Sequence, residues 1–168
     1  MKILFLIVAR GNSKGIKKKN LSIIDGKSLI ALKIIAASKS KYCSEIIIST
    51  DNEEISNEAE LYGAKCLFKR PSKLARDNSA TVDVIEHAIN TLEGKFKKSY
   101  DAILLLEPSS PFTRPEDYDK AIEIMIKEKY DLVVSVVEHK LDPKVIATLG
   151  VKNSLDKIIT KLGSNLNL

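Results

Sequence analysis

The 168-residue sequence has no tryptophan, two cysteines and two histidines, and these scarcities exclude several classes of protein. Cys43 and Cys66 form no Cys-x-x-Cys pair, so a disulfide scaffold is not expected and both are predicted to be reduced thiols. His87 and His139 stand far apart without a cysteine cluster, which argues against a zinc site. The nucleophile elbow Gly-x-Ser-x-Gly of the α/β-hydrolases is absent as well.

Aromatic residues are scarce too, at 5% of the chain, which argues against a nucleic-acid-binding surface. The net charge of +5 attracts polyanions. However, the lysines are scattered except at 17–19 and 97–98, and no aromatic side chains alternate with them as stacking platforms. No apolar run is long enough for a membrane span, and no signal peptide precedes the first apolar segment. We therefore expect no nucleic-acid partner, no membrane partner and a cytoplasmic location.

What the sequence does contain is typical of one globular domain over residues 1–168. Hydrophobic residues make up 44% of the chain and charged residues 29%, a balance found in folded rather than disordered proteins. A chain of this length buries about 70% of its unfolded surface, so it needs no disulfide or metal to fold.

Apolar periodicity predicts strands that alternate with helices along the whole chain. The predicted strands lie at 2–8, 45–50, 65–68, 101–106, 131–137 and 145–149. The predicted helices lie at 28–41, 53–62, around 82–92, around 115–126 and at 154–162, with a loop at 94–99. Asp51 is predicted to cap the second helix, and Thr113 with Glu116 to form a capping box for the fourth. The fold class predicted is α/β, a doubly wound, mostly parallel sheet in three α/β/α layers.

The loop at residues 9–20 is the most unusual part of the chain and follows the first strand directly. Its two glycines allow sharp turns, free N–H groups there can cradle phosphate oxygens, and Arg10, Lys14 and Lys19 can neutralise a polyphosphate. The loop matches neither the P-loop spacing nor the dinucleotide fingerprint. It therefore indicates a nucleotide-phosphate site, with a solvated lysine-rich turn as the alternative.

A Rossmann-like strand order, 3-2-1-4, would place a second loop beside this one. In that order the strands at 3–8 and 101–106 are neighbours, and the order in which strands are added to the sheet reverses between them. Ligands bind beyond the carboxyl ends of the strands at such a switch point. The loops at 10–20 and 107–114 are therefore expected to face one crevice.

Four stretches of sequence, in order, carry a resemblance to a known family: 9–16 with Lys19-Asn20, 49–51, Arg70-Pro71 with 74–77, and 105–114. Together they resemble the acylneuraminate cytidylyltransferases, the CMP-sialic acid synthetases, and the resemblance extends from residue 3 to about residue 140. It implies a Rossmann-like nucleotidyltransferase that transfers CMP from CTP to a sialic-acid-like nonulosonic acid and releases pyrophosphate. It also implies Mg²⁺ bound with CTP, and a homodimer.

The resemblance also implies roles for individual residues. Lys19 and Arg10 are placed at the reaction centre. Nucleotide contacts are assigned to Arg10, Gly11, Lys14, Asn20, Arg70, Asp77 and Thr81. Sugar contacts are assigned to Glu107, Ser109, Ser110 and Arg114. For Asp77 and Thr81 the alternative is helix capping, because both residue types favour a helix N-terminus, and for Lys17 and Lys18 the alternative is a solvated surface.

Glu107 departs from the family pattern, in which glutamine stands at this position near the sugar. A glutamine amide can donate to a carboxylate, whereas an ionised glutamate can only accept hydrogen bonds. Glu107 would repel the carboxylate of a sugar acid but would suit a hydroxyl or an acylamino N–H. The substitution therefore leaves the identity of the sugar open, and pairing of Glu107 with a local cation such as Arg114 is the structural alternative.

The family's later Asp-x-Asp metal ligands have no counterpart in this chain, so no protein ligand for a metal is assigned within it. We expect a nucleotidyltransferase domain truncated at its C-terminus, which binds CTP weakly, forms little CMP-sugar and dimerises poorly. Two alternatives remain open: a catalytically impaired nucleotide-binding homologue, and a sugar nucleotidyltransferase with a different base or sugar.

Overall fold

The computed structural model describes residues 1–12 and 15–136, together with the backbone of 146–149 and 155–159. The chain divides into two compact units, residues 1–133 and 134–168. The first unit contains β1 (Ile3–Val8), β2 (Ile23–Ile24), β3 (Lys27–Ser28), α1 (Leu29–Ser38), β4 (Ile46–Ser49), α2 (Glu53–Leu61), α3 (Thr81–Phe96), β5 (Ala102–Leu106) and α4 (Pro115–Glu128), with 3-10 helices at Lys19–Leu21 and Ser72–Leu74. The second contains β6 (Ile146–Leu149) and β7 (Leu155–Ile159). That residues 1–168 form one domain stays a prediction.

The central sheet of the first unit has three parallel strands in the order β4-β1-β5. Phe5 of β1 pairs with Ile46 on one side and with Leu104 on the other. The strand predicted at 65–68 is reduced to isolated parallel bridges at Lys65 and Lys69, beside β4. The predicted neighbours of β1 are therefore confirmed. The segment predicted as the outermost strand does not form a continuous strand.

The central strand β1 is buried on both faces, because helices cover both sides of the sheet. Ile3, Phe5 and Ile7 pack into a cluster with apolar side chains from α1, α2 and α4. Leu4 and Leu6 point the other way and pack with Ile47 of β4 and with α3. This alternation follows from the two-residue period of a strand, and it confirms the three-layer α/β/α arrangement.

At the amino-terminal edge of the sheet, the carboxylate of Glu45, just before β4, binds side chains from the segment just before β5. It accepts hydrogen bonds from Lys98 Nζ at 2.6 Å, from Tyr100 Oη at 2.6 Å and from Lys65 Nζ at 3.2 Å. Burial alone would raise the pKa of Glu45, but these three donors outweigh it and lower that pKa to about 2. Glu45 is therefore a largely enclosed anion, with a side chain 9% exposed, that holds the segments before β4 and β5 together.

Several predicted helix ends are wrong, because tertiary contacts or neighbouring residues take the capping role. Asn52 caps α2 by accepting from the Ile55 N–H, while Asp51 is engaged by another loop. The helix α3 ends at Phe96 and so covers the first three residues of the predicted loop at 94–99. Its N-cap is Ala80 with no side-chain cap, so the predicted capping by Asp77 or Thr81 is wrong.

The helices α1 and α4 also end or begin differently from the prediction. The capping box of α4 lies one residue later than predicted: Asp117 accepts from the Arg114 N–H at 3.1 Å, and Thr113 and Glu116 do not form it. The helix α1 stops at Ser38, three residues before its predicted end.

In the second unit β6 and β7 form an antiparallel hairpin, with Ile146 opposite Ile159 and Ala147 opposite Ile158. The strand predicted at 145–149 is confirmed. The helix predicted at 154–162 is wrong over 155–159, where the chain forms β7. A short apolar run is compatible with the period of a helix or of a strand, and here it pairs with β6.

The predicted strand at 131–137 is not confirmed either. Its described residues, 131–136, form no strand and pair with none of the described strands, and residue 137 lies outside the described part. Within the described residues, no helix is long and apolar enough to cross a membrane.

Candidate active site

A cavity of about 510 Å³ opens beyond the carboxyl ends of β1 and β5. Its lining includes Val8, the last residue of β1, and Glu107, which directly follows β5. The full lining is Val8, Arg10, Gly15, Ile16, Lys19, Asn20, Arg70, Leu74, Arg76, Asp77, Ser79, Thr81, Val84, Glu107, Pro108 and Ser109. The predicted meeting of the loops after these two strands is confirmed, and the loop at 69–80 forms a third side.

The charged side chains of the cavity are mostly cationic. The cations are Arg10, Lys19, Arg70 and Arg76, and the anions are Asp77 and Glu107. The excess of positive charge on a partly enclosed surface attracts a polyanionic ligand. Hydroxyl groups of Ser79, Thr81 and Ser109 add neutral donors and acceptors to the lining.

Arg10 is held at the cavity wall by the facing loop. Its guanidinium donates to the carbonyl oxygen of Arg76 at 2.9 Å and forms an ion pair with Asp77 Oδ1 at 2.8 Å. The side chains of Arg10 and Asp77 are 29% and 41% exposed, so solvent weakens this pair. Asn20, which is buried, donates from Nδ2 to the Arg10 carbonyl at 3.0 Å and fixes the backbone.

Arg70 is a buried cation at the cavity, with a residue exposure of 4%. Its guanidinium donates from Nε to Ser49 Oγ at 3.1 Å and also to the Ser49 carbonyl oxygen. Burial lowers the pKa of Arg70, Asp51 opposes that shift and Arg10 adds to it. Among the described residues no carboxylate lies within ion-pair distance of Arg70, so its charge is available to a ligand phosphate.

Gly11 fulfils a packing role and does not line the cavity. Its N–H donates to Asp51 Oδ1 at 2.9 Å. A Cβ at this position would lie 2.9 Å from the Cβ of Asn52, which real side chains do not tolerate. Glycine is therefore needed here so that the loop can approach the N-terminus of α2.

The loop at 107–114 is only partly brought to the cavity. Glu107 and Ser109 line it, whereas Ser110 and Arg114 do not. Arg114 forms its ion pair with Asp117 at 3.0 Å, so the alternative in which Arg114 pairs with Glu107 is wrong. The guanidinium is drawn away because Asp117 lies on the next turn of the chain, at the start of α4.

The remaining basic residues of the loop at 9–20 separate into two groups. Lys19 reaches the cavity from a 3-10 helix, together with its neutral neighbour Asn20. Lys17 is exposed, and Lys18 pairs with Glu54 at 2.6 Å outside the cavity lining. Lys14 lies outside the described residues, so its assignment to the nucleotide stays a prediction.

The residues at or near the cavity to which the sequence assigned no role include two cations. Arg76 lines it, although only its neighbour Asp77 was assigned a role. Lys33 lies behind the loop at 107–114, buried in α1. The sequence did carry a signal for Lys33, because it stands three residues after Ile30 and four before Ala37 on the apolar face of that helix.

The described side chains offer no ready-made metal centre. No group of three or more His, Cys, Asp or Glu side chains within the described ranges could hold an ion. His87 packs edge-on against the ring of Phe68, with centroids 5.5 Å apart. The two carboxylates of the cavity, Asp77 and Glu107, follow different strands, and Asp77 is already paired with Arg10.

Comparison with known proteins gives consistent findings. The model of the cytidylyltransferase family matches residues 4–161 of this chain. The CMP-N,N'-diacetyllegionaminic acid synthase of Legionella pneumophila is 40% identical over 160 residues, which cover 94% of this chain and 67% of that protein. The post-translational flagellin modification protein B of Campylobacter coli is 38% identical over 141 residues, which cover 84% of this chain and 60% of that protein.

A solved structure shows the same fold. The structure of CMP:2-keto-3-deoxy-manno-octonic acid synthetase complexed with CTP superposes with a TM-score of 0.72 and 20% identity. The match covers 96% of this chain and 65% of that one. The chain therefore spans about two thirds of the length of the proteins it resembles.

Proposed function

This chain belongs to the cytidylyltransferase family, and we propose that it transfers CMP from CTP to a sialic-acid-like nonulosonic acid. In that reaction a sugar hydroxyl oxygen forms a bond to the α-phosphorus and its proton passes to water. The bond from that phosphorus to the β-phosphate oxygen breaks, and pyrophosphate leaves with the bonding electrons. The observation that carries the proposal is the cationic cavity at the switch point between β1 and β5. The name of the Legionella relative supports the class of sugar acid.

The residues of the cavity suit the charge that this reaction must handle. Arg70 supplies a buried guanidinium without a described ion-pair partner, and Arg10 and Lys19 supply two cations from the loop after β1. Cations placed where negative charge develops stabilise the transition state most, because the cavity excludes part of the screening water. We assign the triphosphate to this side of the cavity, with Asn20, Asp77 and Thr81 nearby.

Magnesium is proposed to enter with CTP. When bound with CTP, Mg²⁺ would offset part of the negative charge of the phosphates. The described lining supplies only two carboxylates, which does not fit an ion held by the protein alone. The cations of this chain are therefore proposed to bind and orient the triphosphate.

The sugar acid is assigned to the side of the cavity formed by Glu107 and Ser109. Ser110 and Arg114, which resemblance also assigned to the sugar, do not line the cavity. Their contribution requires movement of the loop at 107–114. We propose that the reaction takes place in the cytoplasm. We also propose the homodimer implied by the family resemblance as the assembly, for a chain that spans about two thirds of the length of its relatives.

Titration calorimetry with CTP and ATP, each with magnesium, tests the nucleotide assignment. CTP is expected to bind and ATP to bind more weakly. Equal or tighter binding of ATP would refute a cytidylyltransferase. Pyrophosphate release that requires both CTP and a nonulosonic acid then tests transfer, whereas release without the acid would show a CTP hydrolase.

A further inference from the structure

Lys33 is a buried cation that the proposed reaction does not use. It lies in the middle of α1, and its residue exposure is 2%. Its Nζ donates to Thr113 Oγ1 at 2.9 Å and to Tyr118 Oη at 3.1 Å, and it lies 5.6 Å from the centre of the Tyr118 ring. Both acceptors are neutral, which is an unusual setting for a buried ammonium group.

The electrostatic neighbour of Lys33 is Glu107 on the cavity wall. Burial lowers the pKa of Lys33 to about 8, and the charge of Glu107 opposes that shift. Lys33 is therefore still mostly protonated at neutral pH. Among the described residues no carboxylate lies within ion-pair distance of Nζ, so the attraction to Glu107 acts at longer range.

Lys33 also anchors the loop at 107–114. Thr113, which accepts from Lys33, donates its own hydroxyl to the Ser110 carbonyl at 3.0 Å. The hydrogen bonds therefore run from α1 through Thr113 into the middle of the loop. Glu107 stands at the start of the same loop, where it faces the cavity.

We infer that Lys33 is a specificity-determining positioning residue: its buried ammonium group fixes the loop at 107–114 and offsets the charge of Glu107, so that this side of the cavity accepts an anionic sugar. The inference rests on the proposed function. An ionised Glu107 alone would repel the substrate carboxylate, because it can only accept hydrogen bonds. A positive charge behind it restores a nearly neutral wall, without contact between Lys33 and the substrate.

A double-variant cycle separates this role from a purely structural one. Lys33→Met keeps most of the apolar stem of the side chain but removes the ammonium group. Lys39→Met, at the exposed residue that directly follows α1, is the matched control. Glu107→Gln removes the repelling charge that Lys33 is inferred to offset. If Lys33 only pinned the loop, Glu107→Gln would not restore what Lys33→Met loses.

The measurement is calorimetric titration of a nonulosonic acid into the 168-residue chain saturated with CTP and magnesium. Lys33→Met is expected to weaken binding of the acid about tenfold, the scale of one unit charge acting across roughly 10 Å of protein. CTP affinity is expected to change less than about twofold, as is the acid affinity of Lys39→Met. Adding Glu107→Gln to Lys33→Met is expected to recover most of the loss.

One result would overturn the inference while the proposed function stands: Lys33→Met binds the acid as tightly as the native chain. Failure of the native chain to bind CTP, or of its CTP complex to bind a nonulosonic acid, would instead refute the proposed function. If Lys33→Met does not fold, Glu107→Gln alone decides, because it is expected to bind the acid at least as tightly as the native chain. Weaker binding by that variant would refute an unfavourable role for the Glu107 charge.

Discussion

Replacing Arg10 by alanine tests whether the loop after β1 binds phosphate through a specific cation. In the free protein the Arg10 guanidinium is engaged with Asp77 and with the carbonyl of Arg76. A phosphate must therefore compete with these partners or join them. The perturbation removes one charge from the cavity and leaves the backbone, held by Asn20, in place.

The expected magnitude follows from these contacts. A hydrogen bond from a guanidinium to a charged group contributes about 1.5–3 kcal/mol. Loosening a half-exposed ion pair such as Arg10–Asp77 costs up to about 1 kcal/mol, which is deducted from that gain. With the full deduction of about 1 kcal/mol, the net loss of CTP affinity in Arg10→Ala is about 0.5–2 kcal/mol, a Kd increase of about 2-fold to 30-fold.

Calorimetry with CTP and magnesium checks this figure, and Lys18→Ala is the matched control. Lys18 belongs to the same loop and carries the same charge, but it pairs with Glu54 and does not line the cavity. Its replacement is expected to change the Kd less than about twofold. Equal weakening by both variants would show that the loop acts as diffuse charge, and an unchanged Kd in Arg10→Ala would refute the phosphate role.

Two further predictions concern stability. Glu45→Gln is expected to lower the free energy of unfolding by about 3 kcal/mol at pH 7. This figure follows from the difference between the pKa of Glu45 in the folded protein, about 2, and its ordinary value of 4.5. Because the folded pKa is depressed, this difference should be present above about pH 4.5 and vanish as the pH falls toward 2, as urea unfolding across that range would reveal. Gly11→Ala is expected to destabilise by about 1–3 kcal/mol through the clash with Asn52, whereas Gly15→Ala, which meets nothing within 4 Å, should change the melting temperature little.

The central sheet and its ligand-binding edge could be predicted from local patterns because those patterns are strong. The run Ile3–Val8 is apolar at every position, as a strand covered on both faces requires. The same rule of strand order that made β1 and β5 neighbours also brought Arg10 and Glu107 to one cavity. These features depend on burial and chain direction, which composition and period reveal.

The errors occurred where the outcome depends on partners that are distant in sequence. Asp51 has the right chemistry for a cap, yet the Gly11 N–H engages its carboxylate and Asn52 takes the cap. Leu155–Ile159 is compatible with a helix until its pairing with β6 is known. The sequence marks Lys33 as a lysine on an apolar helix face, but its role depends on acceptors on α4 and the preceding loop, which are distant in sequence.

The position of β1 between β4 and β5 determines when the cavity can first exist during synthesis. β1 is made first, but its partner in β5 follows about 100 residues later. At about 5–20 residues per second, roughly 5–20 seconds separate the two strands on the ribosome. Until β5 arrives, one long edge of a strictly apolar strand remains unpaired, and such edges promote aggregation. The strand that organises the nucleotide site is therefore also the segment most in need of protection while the chain is unfinished.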